Sequence, residues 1–203
     1  RYGAEKLYDL CVMCIERRIK YVTVYAFSTE NWRRPADEVE QLMDLFVYFF
    51  HKYKKEMEKE GIRMRVSGVK DGLSQRILDT ITEAESVSKD RTTLQLILAF
   101  NYGGRREIVD SSKKIVAAVQ SGELSLDDLD EEVFQNYLYL PDVPDPDLVI
   151  RPSGEQRMSN FLLWQSAYSE LYFAKVLWPD FSAEILDQVL ADYTERDRRF
   201  GAL

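Results

Sequence analysis

The sequence predicts one α/β domain with a mostly parallel β-sheet flanked by helices. Residues 21–27 and 93–100 are apolar runs with almost nothing charged, which suits strands buried on both faces. Segments with helical periodicity alternate with strand-like runs along the chain. No repeat or linker divides the 203 residues, a length that fits one domain with a substantial core.

Taken in order, residues 4–18 carry Leu7, Leu10, Cys11, Cys14 and Ile15 at helical spacing, and the first strand follows at 21–27. Directly after that strand comes a polar loop, Ser28-Thr29-Glu30-Asn31-Trp32-Arg33-Arg34-Pro35, placed where open α/β sheets bind ligands. Asp37 is expected to cap the next helix, with Glu40 completing a capping box. That helix runs to about Lys59, and its stripe of Val39, Leu42, Met43, Phe46, Phe49, Phe50, Tyr53 and Met57 suits either core packing or a wall for a long hydrocarbon.

Gly61 ends the helix, and residues 62–66 alternate with Arg63 and Arg65 as a half-exposed strand would. A helix at 74–87 and the strand at 93–100 follow. Asn101-Tyr102-Gly103-Gly104-Arg105-Arg106 then leads into a helix at 107–119, with Ile108, Val109, Ile115 and Val116 expected on its inner face. A strand, a Gly-Gly turn and a helix start make an anion-friendly geometry. Pro141, Pro144 and Pro146 hold the chain extended before a strand at 148–150. A last strand at 171–178, a helix at 182–199 and a basic tail, 196–201, complete the reading; the tail suits a partner or an anion.

Composition narrows the chemistry. A net charge of −8 argues against nucleic acid as a partner, so any anionic ligand needs a local cluster of Arg or Lys. No run approaches the ~18 apolar residues of a membrane span. Cys11 and Cys14 lack the two further ligands a zinc site needs, His51 being the single histidine, so buried packing in a reducing cytoplasm is expected. That lone histidine also removes an ordinary Ser–His or Cys–His nucleophile. The chain starts at Arg1 without Met and its first residues already have helical character, so an upstream segment is expected.

The densest polar stretch is 147–170, where Arg151, Ser153, Glu155, Arg157, Ser159 and Asn160 follow a strand exit. Two guanidiniums and a hydroxyl beside backbone amides suit a phosphate or pyrophosphate, because Arg offers paired donors matched to oxyanions. A surface loop holding a structural Arg–Glu pair is the alternative. Glu170 offers a hard oxygen ligand for Mg2+.

Ser28-Thr29-Glu30-Asn31-Trp32-x-Arg34-Pro35, Asn101-Tyr102-Gly103-Gly104-Arg105, Arg151-x-Ser153-Gly154-Glu155-x-Arg157-x-Ser159-Asn160-Phe161, Glu170-Leu171-Tyr172-Phe173 and Trp178-Pro179-Asp180-Phe181 together resemble the cis-prenyltransferases. The nearest type is isoprenyl transferase, or undecaprenyl diphosphate synthase. The resemblance covers nearly the whole chain. It implies an apolar tunnel and repeated addition of isopentenyl diphosphate to an allylic diphosphate such as farnesyl diphosphate, ending in a long polyprenyl diphosphate. A Mg2+ cofactor, a homodimer, a cytoplasmic enzyme and peripheral membrane association through the lipid product are also implied.

By that resemblance Arg151, Arg157 and Ser159 hold the isopentenyl diphosphate with main chain from Met158, and Glu170 binds Mg2+, facing a neighbouring subunit. Ser28, Thr29, Glu30, Trp32 and Arg34 shape the same region. Asn31 sits near the reacting carbons; since an amide is a poor base, an orienting role is expected, with diphosphate or water taking the proton. Leu94, Leu96 and the Phe46–Phe50 stripe are candidates for the tunnel floor.

The family's Asp-Gly-Asn-Gly-Arg-Trp segment, whose Asp binds Mg2+, does not occur from Arg1 onward, and Gln156 stands where some members have His. A fragment without the first strand, the allylic phosphate loop and that carboxylate is expected to be inactive alone. A non-catalytic partner subunit of the same fold is the alternative function, although such subunits tend to lose the Arg-x-Ser-Gly-Glu-x-Arg residues kept here.

Overall fold

The computed structural model describes residues 2–196, and within them five strands, every one paired in parallel, frame the protein. They form two sheets, a three-stranded one in the order β1-β3-β2 and a two-stranded one of β4 and β5. The basic tail beyond Arg196 lies outside the described residues.

Strand β3 (Leu94–Tyr102) is central because nearly all of its residues are apolar and buried. It pairs with β1 (Tyr21–Ser28) on one side and β2 (Ile62–Ser67) on the other. The β1 register shifts between Tyr25 and Ser28, where the strand leaves for its functional loop.

Helix α1 (Tyr2–Glu16) buries Leu7, Leu10, Cys11 and Cys14 as expected. Burial away from water pushes the Cys14 thiol up to about 12 and Cys11 higher still, so neither is a thiolate at neutral pH. Helix α2 (Ala36–Lys59) packs Val39, Met43, Phe46, Phe49, Phe50 and Met57 into the core. The expected Asp37 cap is not formed: Pro35 precedes the first helical residue, and Asp37 instead lies in the first turn, where its charge complements the helix dipole.

After α3 (Gln75–Ser88) and β3, helix α4 (Gly104–Ser121) starts three residues earlier than expected. Val109 and Val116 are exposed, while Gly104, Glu107, Ser111, Ile115 and Ala118 face inward. Helical periodicity fits either face; the buried partners of Glu107 decide. Its carboxylate accepts from the Tyr102 hydroxyl at 2.5 Å, the Tyr139 N–H at 2.9 Å and Gln165 at 3.0 Å, which satisfies a group that is only 1% exposed.

A short helix, α5 (Glu131–Gln135), leads to β4 (Leu148–Arg151) and β5 (Glu170–Phe173). The expected strand at 171–178 ends at Phe173. The regular ladder ends there because the chain after Arg151 turns out of extended backbone. Ser153 and Gly154, both at positive φ, take over and donate to the carbonyls of Val176 and Ala174. Helix α6 (Ala183–Thr194), capped by Ser182, is shorter than expected.

Candidate active site

The loop after β1 is one turn of 3-10 helix, Thr29–Arg33. Asn31 Oδ1 accepts the Ser28 N–H at 2.8 Å, which commits the oxygen to the backbone and leaves Asn31 an N–H2 donor for any ligand. The Trp32 indole donates to Asn101 Oδ1 at 2.7 Å, and the ring stands edge-on to Phe27. Asn101 is 3% exposed and donates in turn to the carbonyls of Val69 and Asp71.

The segment after β4 is held in an unusual backbone. Ser153, Ser159, Asn160 and Leu162 all have positive φ, a conformation that costs on the order of 1 kcal/mol each outside glycine. Such strain clusters where a loop must present specific groups.

These segments enclose a polar cavity of about 840 Å3. Three guanidiniums, Arg34, Arg105 and Arg151, and one carboxylate, Glu30, reach its wall. On a chain of net charge −8 this is a local excess of positive charge. Among the described residues Arg105 and Arg151 have no ion-pair partner, and Arg34 has only Glu38 at 3.7 Å. Burial opposes ionisation of Glu30, but hydrogen bonds from its own amide, Asn160, Ser28 and Thr29 outweigh it and hold the carboxyl below its ordinary pKa. Burial, with the charge of Glu30 next, pushes Tyr25 up to about 12.

Beside it lies an apolar cleft of about 1000 Å3 between β1 and β4, with Leu42, Leu45, Phe46 and Phe49 of α2 on its wall. Tyr25, Arg151 and Met158 line both spaces. An anionic head and a hydrocarbon tail thus have adjacent compartments.

Of the residues expected in the site, Ser28, Glu30, Asn31, Arg34, Arg151, Met158 and Ser159 meet at the polar cavity. Thr29 lies behind it, donating to Glu30 at 3.2 Å, and Trp32 is held by Asn101 rather than lining the cavity. Arg157 is paired with Glu155 and lines the apolar cleft. The two arginines of this loop thus differ: Arg151 lines the polar cavity beside Arg34 and Arg105, and Arg157 makes the structural Arg–Glu pair.

Glu170 is brought to neither pocket. It sits in register with Leu148, three residues from the Arg151 end of the sheet, and its Oε2 accepts from Arg196 at 2.7 Å. Among the described residues no three His, Cys, Asp or Glu side chains cluster as a metal site. The tunnel-floor candidates divide likewise: Phe46 and Phe49 line the cleft, while Leu94, Leu96 and Phe50 are core.

The amides of Gly104 and Arg105 after the Gly-Gly turn are not free for an anion. Gly104 N–H donates to the Asn160 carbonyl at 2.7 Å and Arg105 N–H to Asn160 Oδ1 at 2.8 Å. Asn160, Arg105 and Tyr25 were legible only as motif or strand residues; nothing in their spacing marks them as cavity wall.

A model of the family described as putative undecaprenyl diphosphate synthase matches residues 1–201. The chain belongs to the undecaprenyl diphosphate synthase family. It is 51% identical to an isoprenyl transferase of Thermotoga maritima over 99% of this chain and 85% of that protein. To an isoprenyl transferase of Clostridium perfringens it is 46% identical, over 100% of this chain and 80% of that one. Among solved structures it is similar to lavandulyl diphosphate synthase from Lavandula x intermedia in complex with dimethylallyl diphosphate. There the TM-score is 0.95 at 37% identity, covering 98% of this chain and 86% of the other. A probable undecaprenyl diphosphate synthase from Campylobacter jejuni superposes with TM-score 0.88 at 33% identity, over 98% and 92% of the two chains. No helix among the described residues is long and apolar enough to cross a membrane.

Proposed function

We propose that this protein elongates a cis-prenyl chain by condensing isopentenyl diphosphate with an allylic diphosphate, farnesyl diphosphate being the expected primer and undecaprenyl diphosphate the expected product. The observation that carries the reading is the shared wall of Tyr25, Arg151 and Met158 between a cationic cavity and an apolar cleft. A diphosphate head in the first leaves its hydrocarbon in the second. Membership of the family supports the same chemistry.

In this reading Arg151, Arg34 and Arg105, with Ser159, hold diphosphate oxygens. Fixed guanidiniums stabilise the charge that grows on the departing group more than they would in water, because the site is partly desolvated. Asn31 orients the five-carbon unit through its N–H2, since its oxygen is already committed to Ser28. It is therefore not the base, and the proton leaves to diphosphate or water. The apolar cleft beside Leu42, Leu45, Phe46 and Phe49 keeps water from an allylic cation, the role the tunnel was expected to fill.

Mg2+ belongs to this proposal as a cofactor that neutralises diphosphate charge when bound. Glu170 would join it only with ligands from beyond the described residues, which fits the proposed homodimer, and no step above depends on it. A cytoplasmic enzyme touching the membrane through its lipid product completes the proposal. The alternative, a non-catalytic partner subunit, is disfavoured because Arg151, Ser153, Gly154, Glu155 and Arg157 are all present.

The test uses protein expressed from its intact gene, supplied with labelled isopentenyl diphosphate, farnesyl diphosphate and Mg2+. Label is expected in an extractable long-chain lipid, and a chelator is expected to abolish it. No extractable label under these conditions would refute the enzymatic reading. The mass of the lipid reports chain length.

A further inference from the structure

Asn160 is bound through its backbone carbonyl and both ends of its side-chain amide. Its carbonyl and Oδ1 accept the first two amides of α4, those of Gly104 and Arg105, at 2.7 and 2.8 Å. Its Nδ2 donates to Glu30 Oε1 at 2.7 Å. Its backbone is left-handed, φ +65°, so the loop is bent to deliver this one side chain. The junction around it is filled: a Cβ on Gly103 would come 2.8 Å from Asn160 Nδ2 and 2.5 Å from Thr29 Oγ1. Three separate segments, from the ends of β1, β3 and β4, meet at this amide.

The electrostatics run one way through it. The positive N-terminus of an 18-residue helix faces an acceptor oxygen, and the amide's other end presents N–H to a carboxylate. Glu30 is thereby held ionised inside a cavity whose other charged or titratable lining groups are Arg34, Arg105, Arg151 and Tyr25. A carboxylate in place of the Asn160 amide could still accept from Arg105 but would stand against Glu30 at hydrogen-bond distance.

We propose that Asn160 is a positioning residue, pinning the Glu30–Asn31 loop and the start of α4 to the anion cavity through a neutral amide that an acidic side chain cannot replace. It acts through Glu30 and Arg105 rather than on the reacting atoms. The inference rests on the diphosphate reading for its kinetic consequence and on geometry alone for the bridge.

The experiment compares wild type, N160A, N160D, E30Q and the exchange variant N160D/E30Q. In the exchange variant the new amide at position 30 donates to the new carboxylate at position 160, which restores the bridge in reverse. The first readout needs no activity: the Glu30 carboxyl is titrated by NMR in ligand-free protein. N160D is expected to raise its pKa relative to wild type, because two carboxylates then share the junction. The second readout is kcat and KM for isopentenyl diphosphate in the lipid-forming assay. N160A and N160D are expected to lower kcat/KM on the order of 10- to 100-fold by displacing the loop. The double variant is expected to recover well above the product of the two single effects.

An unmoved Glu30 titration in N160D, or additive losses in the double variant, overturns the proposal. Should N160D fail to fold, a double variant no better folded than N160D overturns it equally, since the exchange restores the bridge. Inactive wild type would reject the diphosphate reading while the Glu30 titration still decides the bridge.

Discussion

Replacing Arg151 by Ala is expected to cut kcat/KM for isopentenyl diphosphate roughly 10- to 150-fold while leaving the fold intact. Arg151 is half-buried at the strand end, has no ion-pair partner among the described residues and lines both the polar cavity and the apolar cleft. Its guanidinium therefore gives up no internal partner when an anion arrives. A charged hydrogen bond lost in such a place costs about 1.5–3 kcal/mol, and each 1.36 kcal/mol is a factor of ten. Structural cost is small because the residue's ladder contacts are backbone: its carbonyl accepts from Ala174 N–H at 2.9 Å and it registers with Phe173 whatever the side chain. Lys at this position keeps the charge but not the fork, so an intermediate loss is expected. Arg157→Ala should lose less, because Arg157 is paired with Glu155 and its side chain is 61% exposed. The assay is steady-state lipid formation with varied isopentenyl diphosphate, read beside a thermal melt of each variant. Kinetics within twofold of wild type, or a loss matched by an equal loss of folded protein, would refute the reasoning.

Gly103→Ala is expected to destabilise by about 1–3 kcal/mol and to perturb the site, because the added Cβ meets Thr29 Oγ1 at 2.5 Å and Asn160 Nδ2 at 2.8 Å; chemical denaturation measures the first and kinetics the second. Asp142 is held below its ordinary pKa by the forked hydrogen bonds of Arg65, at 2.6 and 2.8 Å, and Glu30 is also depressed. Their folded pKa values lie below the unfolded ones, so the stability they add is fully present above the ordinary carboxylate value of about 4 and is lost as pH falls through the lower folded values. Arg65→Met is expected to flatten that acid limb in denaturation curves taken across pH. Both cysteines are buried free thiols, so a thiol reagent should label neither in native protein at neutral pH and both after denaturation.

Much of this protein is legible without coordinates. The uncharged run that became β3, the apolar stripe of α2 and the buried Cys11 and Cys14 follow from composition and period, because burial on both faces or on one stripe leaves a mark at every position. Strand β1 forms where expected, but as an edge strand with only Phe27 buried rather than one covered on both faces. The polar loops at strand ends were likewise visible, and seven of the expected site residues, from Ser28 to Ser159, share one cavity.

The errors have a common physical source. The inner face of α4 could not be chosen from spacing, since the partners that make Glu107 tolerable inside, Tyr102, Tyr139 and Gln165, come from three different segments. The end of β5 depended on the positive-φ turn of Ser153 and Gly154 after the neighbouring strand, and the amides of Gly104 and Arg105 were spoken for by Asn160, 56 positions beyond Gly104. Local chemistry alone determined that this chain is a parallel α/β domain with cationic loops at its strand ends. Only the tertiary structure decided which of those cations, such as Arg151, remain free for a ligand and which, such as Arg157, are spent on a neighbouring carboxylate. Pairing depends on distance between side chains, and a sequence orders residues without setting the distances between them.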